Sequence, residues 1–202
     1  ALKNAAYPAL TDGTEISCAT TMCMTTDTYV VDPVFFPGGD IGKLAIFGTC
    51  NDLAVSGARP RYISLGFVLE EGFPFVELSR VLDSIASAAR EAGVAVVTGD
   101  TKVVPAGKGG GVYINSTGIG EKVFSGVLDP GTLLPGDTII LSGPVGAHGI
   151  TVLGAREGLP VGASLRSDCA NLYPLCEELY AFDSRLRFLR DATRGGVAAV
   201  LN

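Results

Sequence analysis

Three aspartates carry the first chemical suggestion in this chain. Asp27 follows Thr25 and Thr26, Asp52 follows Asn51, and Asp100 follows Thr98 and Gly99 with Thr101 and Lys102 behind it. Carboxylates converging from separate elements offer hard oxygen ligands to Mg²⁺, which keeps its remaining positions for water and nucleotide phosphates. Lys102 would then neutralise a phosphate. The loop around Gly109, running over residues 107–111 with Lys108 inside it, would close over that phosphate with its backbone amides. Each residue has a plainer reading as well: Asp27 can cap a turn, and Asp100 in Gly-Asp-Thr is an ordinary strand-to-loop residue. The loop matches neither GxxxxGK[ST] nor GxGxxG. His148, between Ala147 and Gly149, is either a loop histidine satisfied by backbone or a phosphate or substrate contact. Residues 191–196, Asp-Ala-Thr-Arg-Gly-Gly, have the composition of a helix start whose free amides either bind an anion or are simply capped. Arg185, Arg187, Arg190 and Arg194 read as the solvated face of a helix.

Positioning these groups requires strands and helices, and periodicity with glycine punctuation predicts them. Residues 22–31, rich in Thr, Tyr and Val, read as a strand. A turn over 37–40 then leads into a helix from 41 to about 56, capped by Asp40 and stopped by Gly57. Residues 61–69 are a second strand. Residues 76–92 are an amphipathic helix with Val76, Leu78, Val81, Leu82, Ile85, Ala88 and Ala89 facing inward and Gly93 closing it. A short strand over 94–97 ends at Thr98-Gly99-Asp100, and another spans 112–119. Turn clusters at 129–131 and 135–137 mark a boundary between a domain over 1–134 and one over 135–202. In the second, 138–141 read as a strand, 146–157 as a helix, 173–190 as a longer helix, and the last residues as a helix just begun. Strands and helices alternate, so the class is α/β or α+β with a mixed sheet.

Composition narrows the partners. Twenty-one acids against 15 bases give a net charge of −6, which argues against nucleic acid or an anionic membrane surface, since both need a basic footprint. The longest stretch without Asp, Glu, Lys or Arg, 138–155, contains Pro144, His148 and four glycines, so it is no membrane-spanning helix. The start does not read as a signal peptide, and a cytoplasmic location is expected. Five cysteines at 18, 23, 50, 169 and 176 fit neither a metal ribbon nor a CxxC motif and read as buried free thiols. One histidine argues against a zinc enzyme.

The joint pattern is more specific than its parts. Residues 25–31 (TTDTYVV), 35–45 (FFPGGDIGKLA), 48–58 (GTCNDLAVSGA) and 98–104 (TGDTKVV) resemble the hydrogenase-maturation carbamoyl dehydratases, within the aminoimidazole-ribotide-synthetase-like ATP-using superfamily. Residues 135–137, 142–149 and 191–196 resemble that family's later signatures, and the likeness runs from about Ala6 onward. It implies a mixed α/β N-terminal domain that pairs with a second copy in a barrel-like homodimer, and a C-terminal α/β domain, with Mg²⁺ and ATP between the two. Asp27, Asp52 and Asp100 fall on the superfamily's metal-binding aspartates, with Asn51 and Thr101 beside them. Lys102 falls on the lysine near the reacting tail and is the candidate base. Gly109 and His148 are looser matches.

The resemblance further implies that a thiol near the extreme C-terminus receives a carbamoyl group from a carbamoyltransferase (HypF type). ATP then drives its dehydration to a thiocyanate, and an iron-assembly scaffold complex (HypC-HypD type) accepts the cyano group. The reading expects both ends of this chain to be cut, the second domain to be incomplete and the tail thiol to lie outside these residues, so that this piece alone is inactive. A thiamine-phosphate kinase, a selenophosphate synthetase or an aminoimidazole-ribotide synthetase is the alternative within the superfamily. A non-catalytic dimerisation module is the alternative outside it.

Overall fold

The computed structural model describes residues 19–160, 162 and 164–202; Cys18 and the start of the resemblance near residue 6 lie outside them. Strand β1 (Met22–Tyr29) leads through a short hairpin, β2 (Phe35–Phe36) and β3 (Gly39–Asp40), into helix α1 (Ile41–Val55). Strand β4 (Ala58–Glu70), helix α2 (Phe75–Ala92), strand β5 (Ala95–Val104) and strand β6 (Val112–Lys122) follow. The remainder carries helices α3 (Ala147–Glu157), α4 (Tyr173–Tyr180) and α5 (Gly196–Leu201) between turns. The sheet order is β1-β6-β4-β5. Only β4 and β5, joined through α2, run parallel; β6 is antiparallel to both its neighbours. This is the expected mixed sheet.

Local chemistry sets the helix ends. The Asp40 carboxylate accepts from the Gly42 and Lys43 amides at 2.8 and 3.0 Å, satisfying two of the donors a helix start leaves free. Its second oxygen accepts the Ser84 hydroxyl at 2.6 Å, which ties α2 to the start of α1. Gly57 (φ +81°) follows α1 and Gly93 (φ +67°) closes α2, both in the left-handed region that favours glycine. Helix α1 is buried nearly all round, with Ile41, Ala45, Ile46, Cys50 and Ala54 fully enclosed. It packs against the sheet, α2 and α4 at once. Gly118 on β6 makes its close approach possible: a Cβ there would stand 2.6 Å from the Thr49 methyl. The other face of the sheet carries no helix among the described residues.

Several expectations are corrected. On α2 the inward face is Val81, Ile85, Ala88 and Ala89, whereas Val76 in the first turn and Leu82, one step round from the buried seam, are exposed. The expected strand over 94–97 continues to Val104 because its pairing with β4 continues to Glu70, so Asp100 lies inside a strand and not at its end. Residues 138–141 form no strand: Ile139, Ile140 and Leu141 are exposed and have no strand beside them among the described residues, and a strand needs a neighbour for its amides. The helix expected over 173–190 stops at Tyr180. Asp183 takes φ +47°, and the Arg187 carbonyl is drawn onto the 129–132 turn by the Asp129 amide and the Thr132 hydroxyl. The four arginines therefore form no helix face. Arg187 pairs with Asp137 at 3.3 Å and Arg194 with Asp27 at 2.8 Å.

Candidate functional site

On strand β1 the side chains of Thr25, Asp27 and Tyr29 alternate onto the helix-covered face. Helix α1 passes over them: Tyr29 Oη meets Thr49 Oγ1 at 3.1 Å, and the Thr25 hydroxyl donates to Asp52 Oδ2 at 3.0 Å. A third acid arrives from the C-terminal segment, where Asp191 stands close enough to Asp52 for each to shift the other's titration. Burial, then the charge of Asp52, pushes Asp191 up to about 6. Burial also raises Asp52, against the Thr25 hydrogen bond, with the negative charge of Asp27 adding to the rise. Arg190 favours the ionised form of both acids by its charge. Asp52 on α1 thus has two acids near it, Asp27 from β1 and Asp191 from the C-terminal segment, with Arg194 on Asp27.

Asp100 is not part of this group. Asp27 pairs with Ser116, Ser116 with Leu65, and Leu65 with Gly99, so β1 and β5 are opposite edges, roughly 14 Å apart at about 4.8 Å per strand. The faces differ as well. Asp100 shares a row with Gly66, Asn115 and Thr28 on the uncovered face, where it lines a shallow polar depression with Ser64, Thr98 and Asn115. Lys102 pairs with Asp100 at 2.7 Å, and this contact together with the Thr101 amide lowers the Asp100 carboxyl below its ordinary value. Thr101 is exposed beside them.

The other candidates are committed elsewhere. Asn51 accepts the Leu172 amide at 2.8 Å and donates to the Ala170 carbonyl at 3.0 Å, so it clamps the 170–172 segment onto α1. The glycine loop wraps the Glu70 carboxylate, which accepts the amides of Gly107 and Gly111 and is lowered by them and by Gly109. His148 lies in the first turn of α3, with Nδ1 2.9 Å from Ser167 Oγ and its ring edge-on to Phe36. Asp191 is the residue that sequence reasoning used only for its backbone. The signal was there, an acid opening a Thr-Arg-Gly-Gly turn, but its partner Asp52 is remote in sequence. Among the described residues no three of His, Cys, Asp and Glu stand close enough to enclose a metal ion unaided.

Residues 9–122 match the family described as AIR synthase related protein, N-terminal domain. The chain is 51% identical over 181 residues to a carbamoyl dehydratase HypE of Cupriavidus necator, covering 90% of this chain and 52% of that protein. It superimposes with a TM-score of 0.94 on a hydrogenase maturation protein HypE in complex with ATP, at 48% identity, covering 98% of this chain and 59% of the other. A HypE-HypF complex gives a TM-score of 0.86 at 46% identity, covering 89% and 59%. The chain spans about half the length of the curated relatives it matches.

Proposed function

From the premise that the chain belongs to the AIR synthase related N-terminal domain family, we propose that it is the ATP-handling part of a carbamoyl dehydratase serving hydrogenase maturation. The observation that carries this reading is the Asp52–Asp191 pair facing Asp27. Acids gathered in one place repel one another once ionised, a divalent ion relieves that repulsion, and a nucleotide-bound Mg²⁺ needs only one or two carboxylates from the protein. The donor set is all hard oxygen, so the residues fit Mg²⁺ and ATP: Asp52 and Asp191 would hold the ion, with Asp27 adding charge. Bound there, Mg-ATP supplies phosphorylation of an otherwise poor leaving group, the carbamoyl oxygen.

The carbamoyl oxygen leaves as phosphate, its nitrogen gives up two protons, and a thiocyanate and ADP remain. The protein's task is to align the amide oxygen with the γ-phosphate and to accept those protons. Lys102 is the proposed acceptor, a role that requires it to leave Asp100 and lose its ammonium proton first. It stands on the exposed edge strand β5 with Asp100 and Thr101, and we assign all three to the nucleotide only in a homodimer, where a second copy covers that edge. The uncovered face suits such packing: Met24, Ile119 and Tyr62 make one cross-strand row on it, and Val68 and Tyr113 another. Gly109 and His148 stay secondary candidates for phosphate contact, and Asn51 contributes by holding α1 to the 170–172 segment.

The thiol that carries the carbamoyl group is none of Cys50, Cys169 or Cys176. Burial pushes these up to about 12, 12 and 11, far from the thiolate a nucleophile needs. The carbamoyl donor is a HypF-type carbamoyltransferase and the cyano acceptor a HypC-HypD-type scaffold. A domain boundary after residue 134 and a cytoplasmic location belong to the same reading; among the described residues no helix is long and apolar enough to cross a membrane. The test is Mg²⁺-dependent ATP binding by calorimetry in the protein and in Asp52→Asn. Binding that needs Mg²⁺ and disappears in the variant supports the reading; unchanged binding in Asp52→Asn overturns the metal assignment.

A further inference from the structure

The acidic group already holds a cation, and it comes from the chain itself. The Arg194 guanidinium lies 2.8 Å from Asp27 Oδ1, with the arginine side chain 87% exposed and the aspartate 27%. Three residues earlier, the same segment delivers Asp191 to Asp52. Immediately after Arg194, Gly195 and Gly196 both take positive φ, +70° and +59°, so the arginine sits at a joint that other residues adopt only with strain. An exposed ion pair of this kind is weak, because water screens both charges and the long side chain must be ordered. A divalent ion brings twice the charge to the same carboxylates.

We propose that Arg194 is an exchangeable counter-ion. In the cation-free protein it neutralises Asp27. When a divalent cation occupies the acidic group, Arg194 gives up that carboxylate and turns its planar fork to the phosphates that arrive with the cation, a geometry guanidinium matches with two parallel hydrogen bonds. One residue therefore opposes binding of the metal alone and favours binding of metal with nucleotide. The idea rests on the Mg-ATP reading above, and the experiment separates the two.

The probe is Mn²⁺, followed by the paramagnetic resonance signal of the free ion, with and without a non-hydrolysable ATP analogue. Arg194→Gln should bind Mn²⁺ alone about two- to fivefold more tightly, the range expected for losing a competing exposed ion pair. The same variant should bind the Mn²⁺-analogue pair about tenfold more weakly, as expected for losing a charge-assisted contact to phosphate. In an Asp27→Asn background the first gain should vanish, because Arg194 has no carboxylate left to block. Arg194→Lys, which keeps the charge and loses the fork, should restore the block and not the full nucleotide affinity. If Arg194→Gln binds Mn²⁺ no more tightly while Asp52→Asn still abolishes binding, the exchange is wrong and the metal site stands. If both affinities rise, the arginine only repels and its phosphate role falls. If the unaltered protein binds no Mn²⁺ under either condition, the metal reading and the exchange fall together.

Discussion

Asp52→Asn should make the cation-free protein more stable while removing its metal binding. Asp191 is raised from the usual aspartate value to about 6 by burial first and by the charge of Asp52 second. Taken whole, a rise of about two pH units corresponds to about 3 kcal/mol. Both acids are only partly buried, so water screens the charge, and burial survives the substitution, so the share removed with the Asp52 charge is about 1 kcal/mol. The sign follows from proton counting. Between the unfolded aspartate value and about 6, the native state holds a proton that the unfolded chain has lost, so stability falls as pH rises through that window, and the deficit is complete above it. The variant should therefore gain about 1 kcal/mol near pH 8 in a chelator, and the gain should shrink towards about pH 4, where Asp191 stays protonated in both proteins. The Thr25 hydroxyl keeps a carbonyl oxygen to donate to, so little is lost in exchange. Urea unfolding at the two pH values measures the difference. A variant less stable than the parent near pH 8 would refute the reasoning, because it would make Asp52 a structural carboxylate held by Thr25.

Two further outcomes follow from the packing and the loop. Gly118→Ala drives a methyl to 2.6 Å from Thr49 Cγ2 and 3.0 Å from Leu53 Cδ1, so α1 must lift from β6. A loss of about 1–3 kcal/mol in urea unfolding is expected, and a neutral variant would show that the helix yields freely. Glu70→Gln leaves one carbonyl oxygen where two carboxylate oxygens now accept loop amides. Hydrogen exchange at Gly107 and Gly111 should quicken while the unfolding midpoint stays in place; unchanged exchange would mean that Glu70 does not hold the loop.

Local chemistry was legible in the sequence wherever it acts over a few residues. Asp40 and Gly57 bracket α1 as read, and Gly93 ends α2 as read, because a cap needs only its own turn. The helix expected to reach residue 190 failed for the opposite reason. Past Tyr180 the chain turns at Asp183 (φ +47°), and the Arg187 carbonyl pairs with the 129–132 turn, a pairing that no local pattern announces. The arginines looked like one solvated stripe at helical spacing, yet two of them find separate carboxylates, Asp137 and Asp27. The site divides along the same line. Asp27 and Asp52 are candidates legible in distinctive local runs, whereas the approach of Asp191 to Asp52 is a tertiary contact that no local run announces.

Asp100 shows how one residue of register decides what an acid can reach. Val96 pairs with Ile63, a core residue, so it points to the helix-covered face. Strict alternation from Val96 would send Asp100 to that same face, the one that carries Asp27 and Asp52. The ladder does not alternate strictly: Ile63 opposes Val96, but Ser64 opposes Thr98, so β5 spends one extra residue at that step. A single inserted residue turns every following side chain over. Asp100 and Lys102 therefore emerge on the uncovered face, opposite Gly66 and Val68. In the homodimer proposed above they serve the nucleotide from that uncovered face, beneath the second copy. In a protein held monomeric by Ile119→Lys on that face, Asp100→Asn should then leave Mn²⁺ binding unaltered while Asp52→Asn still abolishes it. Equal losses in both variants would mean that the bulge does not separate the two acids.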